Sequence, residues 1–103
     1  MIKVLLSCGA GISSGMLASK AKKAVKEMGV DVSFEARSES EVDEYLPYID
    51  LLYFGPHYAS LLNEYQEKSN DHDYIVNIID ESIYGAMDGK SLVEHAIKTY
   101  NSK

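Results

Sequence analysis

The stretch Ile2-Lys3-Val4-Leu5-Leu6-Ser7-Cys8-Gly9-Ala10-Gly11-Ile12-Ser13-Ser14-Gly15 decides the architecture. Residues 2–7 are short and mostly apolar, the pattern of a strand buried on both faces of a parallel sheet. Small residues from Gly9 to Gly15 predict a turn. An amphipathic helix then runs to about Met28, because Leu17, Ala21, Ala24 and Met28 recur at i, i+4, i+7 and i+11. Ala18 and Val25 widen that face, lysines hold the opposite arc, and Gly29 stands where a helix C-cap is wanted. Strand, glycine-rich turn and helix together are the opening unit of an α/β fold.

The same alternation continues outward. Residues 31–36 place Val32, Phe34 and Ala36 on one side, which suits an edge strand. Ser38 and Glu41 have capping-box spacing, so a short helix or turn is expected there, ending before Pro47. Residues 49–54 read as a third strand closed by Gly55-Pro56, and Tyr58, Leu61, Leu62 and Tyr65 as a helix face. Residues 68–71 form a loop, residues 74–79 a fourth strand, and Asp80 to Gly89 a loop with room for one helical turn. Asp88 can cap a last helix buried through Leu92, Val93, Ala96, Ile97 and Tyr100. The expectation is one domain over residues 1–103: an open, doubly wound, four-stranded parallel sheet in the order 2-1-3-4, flanked by helices.

Composition narrows the function. The chain has 103 residues, one cysteine and a formal net charge of −6. A single cysteine makes no internal disulfide. No apolar run approaches a membrane span, and the opening run is too short for a signal peptide, so a cytoplasmic protein is expected; a monomer is expected as well. The net charge argues against nucleic-acid binding. The charge is uneven, however: residues 1–30 sum to +4 and residues 31–103 to −10. Lys20, Lys22, Lys23 and Lys26 form the solvated face of the first helix, and that face is also a basic patch suited to an acidic or phosphorylated partner.

In an open parallel sheet, ligands bind where strand order reverses, at the carboxyl ends of the strands. Cys8 stands at that switch point. The loop of Gly9, Ala10, Gly11, Ile12, Ser13, Ser14 and Gly15 can curl its N–H groups inward and leads into a helix N-terminus; both features favour an anion. That field stabilises a thiolate, the nucleophilic form, and equally a phosphoryl group on the sulfur. His57, Asp80 and Tyr84 fall in the other two loops expected at this edge and are candidate rim residues. His57 reads equally as a surface histidine, and Asp80 as an orienting acceptor for the Cys8 loop. No His or Cys spacing points to a metal, and no cofactor is expected.

The loop lacks the Gly-Lys-Ser/Thr ending of a Walker motif, and Ser14 replaces the last glycine of G-x-G-x-x-G. A cysteine phosphatase loop, C-x-x-x-x-x-R-[ST], would need arginine where Ser14 stands, and the only arginine, Arg37, follows the second strand. Without an arginine clamp, hydrolysis should be weak, which suits a phosphate carrier.

The whole chain resembles the enzyme IIB component of the sugar phosphotransferase system, lactose/cellobiose type. The resemblance rests on strand 3–7 leading into Cys8-x-Ala10-Gly11-x-Ser13-Ser14 and Met16-Leu17, on Gly55-Pro56, and on Ile79-Asp80 with Tyr84-Gly85-x-Met87-Asp88-Gly89. It implies that Cys8 accepts phosphate from a phosphohistidine of enzyme IIA, with residues 9–15 as its cradle. The phosphate then passes to a sugar bound by the membrane component, enzyme IIC, a β-linked disaccharide such as cellobiose, chitobiose or lactose. The protein would thus be a phosphotransferase component visiting the inner face of the membrane. The rival readings are a non-catalytic interaction module of the same fold and a small cysteine phosphatase.

Overall fold

The computed structural model describes residues 1–7, 12–69 and 72–102, with the side chains of residues 12–14 left out. Four strands, β1 (Ile2–Ser7), β2 (Val32–Ala36), β3 (Leu51–Phe54) and β4 (Ile75–Ile78), form one sheet in the order β2-β1-β3-β4. All three pairings are parallel, with Val4 opposite Phe34 on one side and opposite Leu51 on the other. The expected order and edge strand are both observed.

Among the described residues, five α-helices accompany the sheet: α1 (Ile12–Met28), α2 (Val42–Tyr45), α3 (Leu62–Lys68), α4 (Glu81–Ala86) and α5 (Gly89–Asn101). Alternation along the strands splits the core in two. Val4, Leu6, Leu51 and Tyr53 pack against Leu17, Ala21 and Ala24 of α1 and against Leu92, Val93 and Ala96 of α5. Leu5, Leu52, Phe54 and Val76 pack against Val42, Leu46 and Tyr65 on the other face. Helices on both faces make the sheet doubly wound, as the strand pattern required.

Boundaries differ from expectation: β3 and β4 are shorter than residues 49–54 and 74–79, Asp80 to Gly89 holds the six-residue α4, and three further differences lie nearer the site and at the prolines. Helix α1 starts at Ile12, so Ser13, Ser14 and Gly15 lie in its first turn and not in a loop. The segment after β2 passes straight through Pro47 as a run of single turns, Glu39–Glu41, α2 and Leu46–Tyr48. Proline is tolerated there because the first turn of a helical segment needs no donor from it. Pro56–Leu61 is a 3-10 segment interrupted at Tyr58 (φ −109°, ψ 23°), and only Leu62–Lys68 is α-helical. Two of the expected caps are present: Gly29 ends α1 at φ +68°, and the Asp88 carboxylate accepts from the Ser91 amide at 3.1 Å, whereas the Ser38 side chain caps no amide.

Gly89 sets how closely α1 and α5 approach. A Cβ there would fall on the Lys20 carbonyl group and 2.6 Å from the Ala21 nitrogen. The first turn of α5 therefore rests directly on the backbone of α1.

Candidate functional site

The site is built where the strands end. β1 stops at Ser7 and α1 begins at Ile12, so residues 8–11 alone connect them. Cys8, Gly9, Ala10 and Gly11 lie outside the described residues, as do the side chains of Ile12, Ser13 and Ser14. What surrounds the connection is described. The Gly55 amide donates to the Ser7 carbonyl at 3.0 Å, and the Ile79 amide to the Phe54 carbonyl at 2.8 Å. These bonds extend the ladder by one step and bring the segments after β1, β3 and β4 to one edge. The β1–β3 pair is the point where strand order reverses, and Ser7 pairs with Phe54 there.

The rim residues occupy that edge. His57 is exposed at the start of the 3-10 segment after β3. Its ring meets Tyr84 of α4 edge-on, with centroids 5.8 Å apart, and Tyr58 at 5.0 Å. The two loops are thus joined by an aromatic contact. Asp80 caps α4: its carboxylate accepts from the Ser82 amide at 2.9 Å and the Ser82 hydroxyl at 2.5 Å. Those donors hold its carboxyl below the usual range. Any bond from Asp80 to residues 8–11 falls outside the described residues. Asp88 caps α5 in the same manner through Ser91, with its carboxyl likewise lowered.

Two residues at this edge escaped the sequence reading. Arg37 is remote from Cys8 in sequence, yet its amide donates to the Leu6 carbonyl at 3.0 Å, because β2 pairs in parallel with β1. Its guanidinium is committed to the α2 side: Nε donates to the Tyr45 hydroxyl at 2.7 Å, Nη1 to the Ala36 carbonyl at 2.7 Å, and Nη2 lies 3.6 Å from Glu35. Ser7 is the other. It is completely buried, and its hydroxyl has no hydrogen-bond partner among the described residues.

The electrostatic setting is local. Lys20, Lys22, Lys23 and Lys26 are exposed along α1. Lys20, Lys23 and Lys90 line an open groove of about 430 Å³ together with Glu27, Asp88, Ala24 and Met87. A deeper bay of about 310 Å³, walled by Leu5, Tyr45, Tyr48 and Ile49, lies on the opposite face, beside the start of β1. No described helix is long and apolar enough to cross a membrane.

Comparison with known proteins agrees with this geometry. The chain is 30% identical over 97 residues to the oligo-beta-mannoside-specific EIIB component of Bacillus subtilis (strain 168), covering 94% of each. It is 31% identical over 103 residues to the galactose-specific EIIB component of Lactococcus lactis subsp. cremoris (strain MG1363), covering 95% of each. Its fold matches the solution structure of the cellobiose-specific phosphotransferase IIB component from Borrelia burgdorferi with a TM-score of 0.78. That match has 28% identity and covers 99% of this chain and 94% of the other. Residues 3–95 match the family model described as PTS system, Lactose/Cellobiose specific IIB subunit, and the chain therefore belongs to that family.

Proposed function

We propose that Cys8 is a phosphoryl carrier between two partners of a sugar phosphotransferase system. The observation that carries the reading is positional. β1 ends at Ser7, the residue before Cys8 in the sequence, beside β3 at the switch point, and four residues separate β1 from the N-terminus of a 17-residue helix. Free N–H donors and the helix dipole favour an anion at such a place.

The thiolate of Cys8 attacks the phosphorus of a phosphohistidine on enzyme IIA. The P–N bond breaks, an S–P bond forms, and the imidazole leaves. A hydroxyl of the sugar bound by enzyme IIC then attacks the same phosphorus. The S–P bond breaks, the thiolate is restored, and the hydroxyl proton is released. Positioning and backbone donors from residues 9–15 supply most of the stabilisation, since little covalent work is left to side chains. The relatives named for oligo-beta-mannosides, galactose and cellobiose support a saccharide, and a β-linked disaccharide fits two of the three. The protein works as a cytoplasmic monomer that visits the membrane component. The contacts are transient and of small area around the Cys8 edge, and Lys20 and Lys23 steer a phosphorylated partner toward it.

The test is incubation with phosphorylated enzyme IIA followed by mass spectrometry. One phosphoryl group is expected on Cys8 and none on Cys8→Ala. An unmodified wild-type protein, or label that persists in the variant, overturns the reading. Lys20→Glu with Lys23→Glu should slow transfer several-fold at low salt and little at high salt.

A further inference from the structure

Helix α1 carries four lysines within seven residues, Lys20, Lys22, Lys23 and Lys26, and one acidic residue, Glu27. Its buried stripe of Leu17, Ala18, Ala21 and Ala24 packs against the sheet and α5. The lysines hold the arc left to solvent, and all four are exposed. Among the described residues none of them is in an ion pair, although Glu27 stands four residues after Lys23. Lys68, on the other face of the sheet, is the contrast, since Asp43 and Glu64 both hold it. The charge of α1 is presented outward and uncompensated.

Two features say what such a surface fits. The first is its composition. The centre of a protein–protein interface is poor in lysine and rich in aromatic residues and methionine. From Lys20 to Lys26 every exposed side chain is a lysine, so the arc offers a partner protein no apolar anchor. A lipid surface needs none. A cluster of about four or more lysines on one helix holds anionic headgroups by charge alone, each lysine contributing about fivefold in affinity. The second feature is where the opposite charge lies. The net charge of −6, acting as a whole, would repel an anionic bilayer. The exposed acids Glu41, Asp43, Glu44, Glu64 and Glu67, however, belong to the segments covering the face of the sheet turned away from α1. The narrowest extent of the chain is 20 Å, more than twice the screening length of about 8 Å at physiological ionic strength. A bilayer against α1 meets the lysines and is screened from those acids.

We propose that the lysine arc of α1 is a contact surface for an anionic phospholipid bilayer. The helix lies along the headgroups with its apolar stripe still packed on the sheet, and the acidic face stays in water. Contact of this kind is weak, reversible and released by salt. It involves neither Cys8 nor a phosphorylated partner, so it stands apart from the carrier reading.

The test is co-sedimentation of the intact protein with vesicles at low salt. Vesicles rich in phosphatidylglycerol should retain it, vesicles of phosphatidylcholine alone should not, and high salt should release it. Lys22→Gln with Lys26→Gln should weaken retention about 25-fold. Both positions are exposed and glutamine matches lysine in helix propensity, so thermal unfolding of this variant should match wild type. Glu44→Gln with Glu67→Gln, on the acidic face, should leave retention within about twofold of wild type. Wild type that phosphatidylglycerol vesicles do not retain, or that both kinds of vesicle retain equally, overturns the inference. So does a lysine variant retained like wild type, and so does an acidic-face variant whose gain matches the lysine variant's loss, since net charge rather than α1 would then set the contact. The other occupant, an acidic protein surface, has its own readout: slower phosphoryl transfer from enzyme IIA in the lysine variant, with no retention of wild type by vesicles, gives the arc to that partner and overturns the lipid reading. Wild type that accepts no phosphoryl group ends the carrier reading and leaves the vesicle result to decide this one.

Discussion

The two faces of the sheet solve the same burial problem differently. On one face, α1 and α5 lie as two long helices of 17 and 13 residues, ended by Gly29 and begun by Asp88. On the other, Glu39–Tyr48 and Pro56–Lys68 cover the strands as segments of one or two turns and changing type. The first face relies on helix periodicity and on one close backbone approach at Gly89. The second relies on aromatic contacts, such as Phe54 against Tyr65 at 5.0 Å, and on individual side-chain bonds. Damage should therefore concentrate at one residue on the first face and be spread over many on the second.

Gly89→Ala is the substitution that breaks this contrast most severely. The added methyl meets the Lys20 carbonyl and the Ala21 amide, and backbone cannot rotate aside as a side chain can. Overpacking of this kind costs about 3 kcal/mol at the upper end of its range, despite alanine's better helix propensity. Gly85→Ala is the control, since a Cβ there meets nothing within 4 Å. It should be neutral or gain up to about 1 kcal/mol. Urea unfolding of the two variants checks both, and equal midpoints would remove Gly89 as the spacer between α1 and α5.

The same contrast explains what could be read from the sequence. α1 and α5 span three or more turns, so periodicity repeats often enough to stand out, and their caps are single recognisable residues. Segment 38–48 has the spacing of a capping box, but the Ser38 hydroxyl donates to the Glu41 carboxylate at 2.9 Å and caps no amide. One-turn elements carry too few residues to show a period. At the site, the end of β1 at Ser7 and the helix after it followed from the strand–turn–helix pattern, although α1 starts at Ile12, inside the expected turn. The proximity of Arg37 did not, because it depends on parallel pairing that sequence distance conceals. The unpaired hydroxyl of Ser7 was also hidden, since a missing partner is a property of three dimensions.

On the second face, Tyr74→Phe removes a hydroxyl that bonds the Tyr65 carbonyl, leaving that acceptor short of one donor. A loss of about 1–2 kcal/mol is expected in urea titration. Tyr53→Phe is the counterpart on the first face, where the lost partner is a side chain, Nδ1 of His95, that can turn to Thr99 3.4 Å away. Its cost should be smaller. Burial pushes the phenols of both Tyr53 and Tyr65 up to about 12, so neither should ionise in a spectroscopic titration through pH 10.

The caps test the first face at lower amplitude. Asp88 accepts from the hydroxyl and amide of Ser91, and these bonds lower its carboxyl below the ordinary value. A carboxyl lowered by folding stabilises the native state above its unfolded value, near 4, and that contribution disappears as pH falls through the folded value. Asp88→Ala should therefore lower the melting temperature by a few degrees at pH 7 and by almost nothing at the acid end. Asp88→Asn keeps an acceptor for the amide, so its loss at pH 7 should be smaller. An equal loss at both pH values would show that the charge of Asp88 adds nothing to the cap.

The smallest effect belongs to the outer layer of the second face. Lys68 lies 3.0 Å from Asp43 and 3.3 Å from Glu64, with its ammonium 4.4 Å from the centre of the Tyr65 ring. The carboxylates raise the ammonium's pKa, so it stays charged throughout the physiological range. Both pairs are open to solvent, where ion pairs contribute about 0–1 kcal/mol and salt screens them. Asp43→Asn should accordingly shift the urea midpoint only slightly, and the shift should vanish in 1 M salt. Lys68→Met keeps most of the apolar stem over Tyr65 while losing the charge. If Lys68→Met is as stable as wild type and Lys68→Ala is not, then cover of the aromatic ring, rather than charge pairing, is what this side chain gives the face.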